Sequence, residues 1–278
     1  MSFKQPVQSP PYFSGFAPLP EEFRGKIWER GAPFWFRSES GSDGVILCLH
    51  GFTASPFEVR PVAEAVRRRG FDGAGTLLPG HGYAKLTDQK LFFPRMTAAG
   101  MLEAVRSEIA EARSRYNFVG LFGHSMGGAI ALQMAAEGRV DACAVTAPAL
   151  KLPPRAVFLL ALLGRFNISL NTKPQRFDNP IYLFENTRAG VALQQLARTA
   201  RQHLSQITCP VFAVHSHRDR LVDPVVMDWM RSRVSGELKV RWFDQSSHVM
   251  TLDVNGPEIA EAIGDFFVRV GAGDRLSV

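Results

Sequence analysis

The stretch VGLFGHSMGGA, residues 119–129, decides how the rest of the chain is interpreted. It contains Gly123-x-Ser125-x-Gly127, a pattern in which a serine can stand exposed on a sharp turn between a strand and a helix. An apolar strand pattern (residues 117–123) precedes the serine, and a helical pattern of small residues (126–138) follows it. The motif is short enough to arise by chance in a glycine-rich packing turn, so its meaning depends on the other segments of the chain.

Strand-like runs alternate with helical ones on both sides of this motif. Further strand-like runs lie at residues 44–50, 140–148, 209–215 and 238–244, with helical patterns between them. Strands that are apolar on both faces and separated by helices form a parallel sheet covered by those helices. We therefore predict an α/β fold with a mostly parallel sheet flanked by helices.

The helix predicted after the first of these runs has a clear start signal. Ser55 is placed to cap it, Pro56 takes the first helical position, and Glu58 completes a capping box. Thr97 opens a second, longer helix that extends to about Arg115. Both helices are expected to cover the sheet.

One long interval interrupts the alternation. About sixty residues between the runs near 146 and 211 have helical patterns and no clear strand, which is typical of a lid or cap. We predict a core of residues 41–151 and 207–278, with a small helical cap at 152–206 inserted late in the sheet. Residues 1–40 form an N-terminal extension, whose prolines suggest either an extended surface arm or a disordered tail.

Composition excludes several classes of protein. A 46% apolar and 21% charged composition is that of a soluble globular protein, and no apolar run approaches the roughly 18 residues of a membrane span. The first twenty residues contain no apolar core and no cleavage-like site of small residues, so we expect that they are not a secretory signal. Cys48, Cys143 and Cys209 have neither paired nor metal-like spacing, which favours reduced cysteines and a cytoplasmic location. The net charge of +6 comes mostly from scattered arginines, so we expect no nucleic-acid partner.

A serine hydroxyl becomes an effective nucleophile when a base accepts its proton and a third group orients the base. After a strand–turn–helix of this kind, the expected chain order is serine, acid, histidine. His248 lies in the loop after the last strand-like run, where the base is expected. Asp219 and Asp223 both follow the run at 209–215, but Asp223 suits a helix N-cap, so we assign Asp219 to His248. The alternatives are an exposed loop histidine and a turn-forming aspartate.

The developing oxyanion of an acyl transfer needs two backbone donors. One is expected at Met126, directly after the serine, and the other at Phe52, in the loop after the first strong strand.

Five ordered segments resemble those of the α/β-hydrolase superfamily, in particular its bacterial carboxylesterases and monoacylglycerol lipases. They are LCLHGFTASPFEVRPVAEAV, LLPGHG, LFGHSMGG, HSHRDRLVDP and SSHVMTLD. The resemblance runs from about residue 44 to the C-terminus and is weakest in the cap. One position departs from it: the family usually has glycine three residues before the acid, where this chain has Ser216.

The resemblance implies an α/β-hydrolase fold and hydrolysis of carboxylic esters through an acyl-enzyme, with no metal or organic cofactor. The expected partner is a small-molecule ester with an apolar acyl group, and the expected state is a monomer or homodimer. Apolar cap residues would shape the acyl pocket, namely Phe158, Leu159, Leu162, Phe166 and Leu170. The same serine–histidine–aspartate triad also serves thioesterases, C–C bond hydrolases, acyltransferases and cofactor-free perhydrolases, and a slow-turnover ligand receptor can keep this fold and triad.

Overall fold

The computed structural model describes residues 10–173 and 177–273. Its strands are β1 (Phe34–Phe36), β2 (Gly44–Leu49), β3 (Asp72–Thr76), β4 (Phe118–His124), β5 (Ala142–Thr146), β6 (Ser169–Asn171), β7 (Phe184–Asn186), β8 (Val211–Ser216) and β9 (Leu238–Phe243). Its helices are α1 (Arg60–Arg67), α2 (Leu86–Phe92), α3 (Ala98–Arg113), α4 (Met126–Ala136), α5 (Pro154–Leu163), α6 (Thr187–Gln202), α7 (Val225–Arg233) and α8 (Gly256–Gly271). The helix predicted at Thr97 is confirmed, since the Thr97 side chain accepts a hydrogen bond from the Gly100 N–H.

Seven strands form the main sheet, in the order β1-β3-β2-β4-β5-β8-β9. All neighbours pair in parallel except β1, which runs antiparallel to β3 at one edge. The predicted mostly parallel sheet is confirmed. The strand order places the carboxyl ends of β4, β8 and β9 along one edge of the sheet, where loops of a parallel sheet carry ligand sites.

Each face of the sheet carries its own hydrophobic core, because successive side chains of a strand point to opposite faces. In β2, Val45 and Leu47 face one core, which also contains side chains from α3, α4 and α6. Ile46 and Cys48 face the other core, which α1 and α8 cover. This explains why β2 is apolar throughout rather than alternating.

The N-terminal segment follows the first of its two predicted alternatives from residue 10 onward, while residues 1–9 lie outside the described residues. Phe13 exchanges backbone hydrogen bonds with Leu77, and its side chain is buried. Further along, Phe34–Phe36 pairs with β3 and so extends the main sheet. The proposed division at residue 40 thus leaves one sheet strand inside the extension.

The segment between β5 and β8 divides into two parts. The first contains α5 and the two-stranded antiparallel sheet of β6 and β7. The expectation of no strand here was wrong, because three-residue strands paired only through their backbones leave no apolar alternation. The second part is α6, whose Leu196 and Ala200 belong to the core against α4. Of the proposed cap at 152–206, the part outside the main core is therefore the segment before α6.

The capping box predicted at Ser55 is also wrong. Residues 56–59 form a 3-10 helix, and α1 begins only at Arg60. The Ser55 hydroxyl is buried without a hydrogen-bond partner among the described residues. The Glu58 carboxylate instead accepts the Gly51 N–H, at 2.8 Å. The Glu58 side chain therefore binds a backbone N–H of the preceding loop and not, as a capping box requires, the N–H of Ser55.

Within residues 10–173 and 177–273, no helix is both long enough and apolar enough to span a bilayer.

Candidate active site

Ser125 lies on the turn between β4 and α4, in a backbone conformation that residues other than glycine rarely adopt (φ 52°, ψ −111°). The turn requires glycine on both sides of the serine. A methyl carbon built on Gly123 would lie 2.2 Å from the Gly127 carbonyl oxygen, and one on Gly127 would lie 2.2 Å from that of Leu49. The Gly-x-Ser-x-Gly pattern is therefore a steric requirement of this turn.

The structure brings the three predicted catalytic residues together. Ser125 Oγ lies 2.9 Å from His248 Nε2, and His248 Nδ1 lies 2.8 Å from Asp219 Oδ2. They come from three separate loops, which follow β4, β8 and β9. All three side chains are largely shielded, yet Ser125 and His248 still line a cavity. This geometry lets a proton move from the hydroxyl to the imidazole while the carboxylate stabilises the charge that forms.

Asp219 is held in its ionised form. Burial would raise its pKa, but the hydrogen bond to His248, the charge of that ring and the N–H groups of Val222 and Leu221 lower the pKa to about 2. Both backbone groups donate to Oδ1, so Oδ2 is left to face the imidazole. The carboxylate is therefore fixed in charge and in orientation.

Asp223, the rejected alternative, makes other contacts. Its Oδ1 accepts the Val225 N–H at the start of α7, and its Oδ2 pairs with Lys151 at 2.6 Å. The helix-start contact is the one that its sequence context predicted. No hydrogen bond between Asp223 and His248 occurs among the described residues.

Ser216 supplies a contact that glycine at this position could not make. Its hydroxyl donates to the Ser246 carbonyl and accepts the Arg218 N–H. It thereby joins the loop that carries Asp219 to the loop that carries His248, two residues before the histidine.

The two predicted backbone donors, the N–H groups of Phe52 and Met126, lie in the loop after β2 and at the start of α4. Among the described residues, neither the Phe52 N–H nor the Met126 N–H donates a hydrogen bond. Gly51 lies directly against the serine, since a methyl carbon built on it would be 3.5 Å from Ser125 Cβ. The Met126 N–H is the first of α4, where the helix dipole favours negative charge.

The neighbouring histidine, His124, has a different environment from His248. Its Nδ1 contacts the Thr146 hydroxyl at 2.9 Å, and its ring centre is 5.0 Å from that of His248. Burial and the nearby His248 lower the pKa of His124 to about 3, against the weaker raising influence of Asp219. It is a neutral, buried side chain at neutral pH.

A cavity of about 490 Å³ opens above Ser125, a size that suits a small organic ligand. Of the five predicted cap residues, Leu159 and Leu170 line it. Phe158, Leu162 and Phe166 do not, and they are 68%, 56% and 45% exposed, so their predicted pocket role was wrong. The lining positions Ala156, Leu159 and Leu160 share one face of α5, whereas Phe158 and Leu162 lie on another.

Sequence reasoning missed several lining residues. Leu193 on α6 and Leu221 beside Asp219 add apolar wall, while Glu58 and Lys151 add charge. The apolar residues carry no local signal of this role, because distant segments must first assemble around the cavity. Glu58 did carry a signal, as an acid in an otherwise apolar segment, but the capping box was its local interpretation.

A mostly parallel sheet with a serine on a strained strand–helix turn, followed in chain order by an acid and a histidine, defines the α/β-hydrolase class. The model of the alpha/beta hydrolase family matches residues 46–262. The chain therefore belongs to that family.

Two relatives and one solved structure illustrate what the chain is similar to. The thermostable monoacylglycerol lipase of Bacillus sp. (strain H-257) is 30% identical over 242 residues, covering 84% of this chain and 94% of the relative. The carboxylesterase of Bacillus subtilis (strain 168) is 23% identical over 250 residues, covering 86% and 96%. A structure from a study of two metagenome-derived lipolytic enzymes superposes with a TM-score of 0.79 at 24% identity, covering 88% of this chain and 99% of its own. The likeness to that structure concerns the fold alone.

Proposed function

We propose that this protein hydrolyses carboxylic esters with an apolar acyl group and a small alcohol, of which monoacylglycerols are one example. The observation that carries the proposal is the continuous contact from Ser125 Oγ through His248 to Asp219 at the base of a cavity. The similarity to a monoacylglycerol lipase and a carboxylesterase supports the substrate class.

In the proposed reaction Ser125 Oγ attacks the ester carbonyl while His248 Nε2 takes its proton. The Phe52 and Met126 N–H groups stabilise the oxyanion, and one such donor typically contributes about 2.7–4 kcal/mol to the transition state. As the C–O bond breaks, His248 returns the proton to the leaving alkoxide, leaving the acyl group on Ser125. Water then attacks the acyl carbonyl while His248 takes its proton. The bond between the acyl carbon and Ser125 Oγ breaks, His248 returns the proton to Oγ, and the carboxylic acid leaves.

The apolar cavity wall supports the choice of an apolar acyl group. Leu159, Leu160 and Leu193 line the same cavity as Ser125, and apolar contact is the interaction that such a wall offers a hydrocarbon chain. Lys151 and Glu58 add polar side chains to the same cavity wall, which suits a substrate with a polar end.

The test is hydrolysis of p-nitrophenyl esters of increasing chain length and of monoacylglycerols, with Ser125→Ala beside the parent. The matched control is Ser114→Ala, at the exposed end of α3. We expect turnover in the parent and in Ser114→Ala, none above background in Ser125→Ala, and an acyl mass adduct on Ser125 in acid-quenched parent. Unchanged turnover in Ser125→Ala would contradict the mechanism. A parent inactive on every ester would contradict the function and favour a slow-turnover receptor.

A further inference from the structure

Glu58 is a buried carboxyl group in the wall of the active-site cavity that the proposed reaction does not use. It is 2% exposed, belongs to the 3-10 turn at residues 56–59 and lines the cavity. Its Oε2 accepts the Gly51 N–H at 2.8 Å. Its Oε1 is 3.9 Å from His124 Nε2, a nitrogen without a hydrogen-bond partner among the described residues. Burying a carboxyl group costs free energy. The presence of Glu58 at this buried position therefore indicates that its contact with the Gly51 N–H has a specific role.

Gly51, whose N–H binds Glu58, lies close to Ser125. Gly51 is confined between two groups, because a methyl carbon built on it would lie 3.0 Å from Glu58 Oε2 and 3.5 Å from Ser125 Cβ. Its carbonyl accepts the Ala54 N–H and contacts His50 Nδ1. Both polar groups of Gly51 are thus held in place. The next residue, Phe52, lines the cavity, and its N–H donates no hydrogen bond among the described residues.

The loop after Gly51 is strained and depends on such anchors. Thr53 has a φ of 62°, in the left-handed region that disfavours residues other than glycine. Strained backbone persists only where the surrounding contacts hold it. Glu58 supplies the anchor at one end of this turn, and the cap segment supplies the other, since the Tyr182 N–H donates to the Thr53 carbonyl.

We infer that Glu58 is a positioning residue: by holding the Gly51 N–H it fixes the loop that presents the Phe52 N–H to the oxyanion. This inference rests on the proposed function, because it assigns a role within the same reaction. Burial raises the pKa of Glu58 to about 7, although the Gly51 hydrogen bond and the His248 charge lower it. Either protonation state leaves an oxygen able to accept from Gly51, so the hydrogen bond rather than the charge is what matters.

The chain contains a close match to Glu58 away from the site. Glu108 on α3 is also buried, and its Oε1 accepts a glycine N–H, that of Gly15, at 2.8 Å. Glu108 does not line the cavity. A substitution there removes the same kind of contact without touching the proposed oxyanion loop.

The experiment compares Glu58→Met, Glu58→Gln and Glu108→Met with the parent and Ser125→Ala. Each is measured for kcat and KM on one p-nitrophenyl ester, for the inhibition constant of an alkyl trifluoromethyl ketone, which forms a tetrahedral serine adduct, and for thermal stability. If Glu58→Met does not fold, Glu58→Ala replaces it.

We expect Glu58→Met to lower kcat by about 10- to 100-fold, because a displaced catalytic group loses rate steeply with distance. KM should change by less than about threefold, since ground-state contacts with the cavity wall remain, and the ketone should bind weaker in proportion to kcat. Glu58→Gln keeps an acceptor and should stay within about threefold of the parent. Glu108→Met should lower stability with kcat unchanged.

Three results would overturn the inference: a Glu58→Met kcat within threefold of the parent, an equal loss in Glu58→Gln, or an equal loss in Glu108→Met. Parent activity that disappears in Ser125→Ala keeps the proposed function intact in each of these cases. An inactive parent would contradict the proposed function itself, so the two failures are distinguishable.

Discussion

Helix α4 begins directly after Ser125, and helix α5 lines the active-site cavity. Both helices are apolar, yet they are buried to opposite extents. All eleven residues of α4 are buried, between the sheet and α6. No residue of α5 is buried; the helix packs mainly on α6, and Phe158 is 68% exposed. Similar composition has therefore produced a core helix in one place and a surface helix in the other.

The difference follows from what surrounds each helix. Helix α4 follows a central strand and contacts the neighbouring strands, α3 and α6. Its packing is so close that its glycines lie directly against backbone atoms of other segments. α5 lies outside the main sheet and covers the cavity from one side only. Under the proposed function, the core side of the cavity would hold the reacting groups in fixed geometry, and the α5 side would shape which substrate enters. The predictions below test this division.

The largest effect is expected on the core side, at Asp219. In Asp219→Asn, the Leu221 and Val222 N–H groups would keep the amide oxygen at the Oδ1 position, so the amide nitrogen would face His248 Nδ1 and favour the wrong tautomer. We expect kcat to fall by about 10⁴-fold. The measurement is steady-state hydrolysis of a p-nitrophenyl ester.

Asp223→Asn is the matched control for Asp219→Asn. It loses the charge opposite Lys151 but can keep the bond to the Val225 N–H, so activity should stay within about threefold. If Asp223→Asn were the inactive variant of the two, the assignment of the acid would be reversed.

A second expected contrast concerns stability. Ile130→Ala in α4 removes a fully buried side chain and should lower the free energy of unfolding by about 2–5 kcal/mol. Leu162→Ala in α5 removes a side chain that is 56% exposed and should change it by less than about 0.5 kcal/mol. Urea unfolding followed by circular dichroism measures both. Equal losses would mean that α5 is as tightly packed as α4.

The smallest effect is expected in substrate choice. Leu159→Trp adds volume on the cavity side of α5 and should lower the activity ratio of long-chain to short-chain esters by about tenfold. Leu162→Trp places the same side chain on the other face and should leave the ratio unchanged. The readout is kcat/KM for butyrate and decanoate esters. A shift in Leu162→Trp as large as that in Leu159→Trp would contradict the division into two faces.

Local sequence patterns were sufficient for most of the main sheet and for the candidate reacting residues. The steric demands of the turn at Ser125 act within five residues, so the glycine spacing is visible directly. The positions of Asp219 and His248 follow from strand order, because loops after parallel strands meet at one edge of the sheet. Glu58 shows the limit of such patterns: a capping box was a valid local interpretation, but the Gly51 N–H, seven residues earlier, binds the carboxylate.

By itself, the sequence determined the alternation of strands and helices, the strained serine turn and the chain order of the three candidate catalytic residues, since each depends on neighbouring residues or on topology. Only the tertiary structure decided which face of α5 meets the cavity, that Phe34–Phe36 joins the sheet, and that Glu58 accepts the Gly51 N–H. A helix whose residues after Arg155 are all apolar has no face there that its own sequence distinguishes, and a three-residue edge strand exists only through its partner. A buried carboxyl group, likewise, binds whichever donor the assembled fold places within reach.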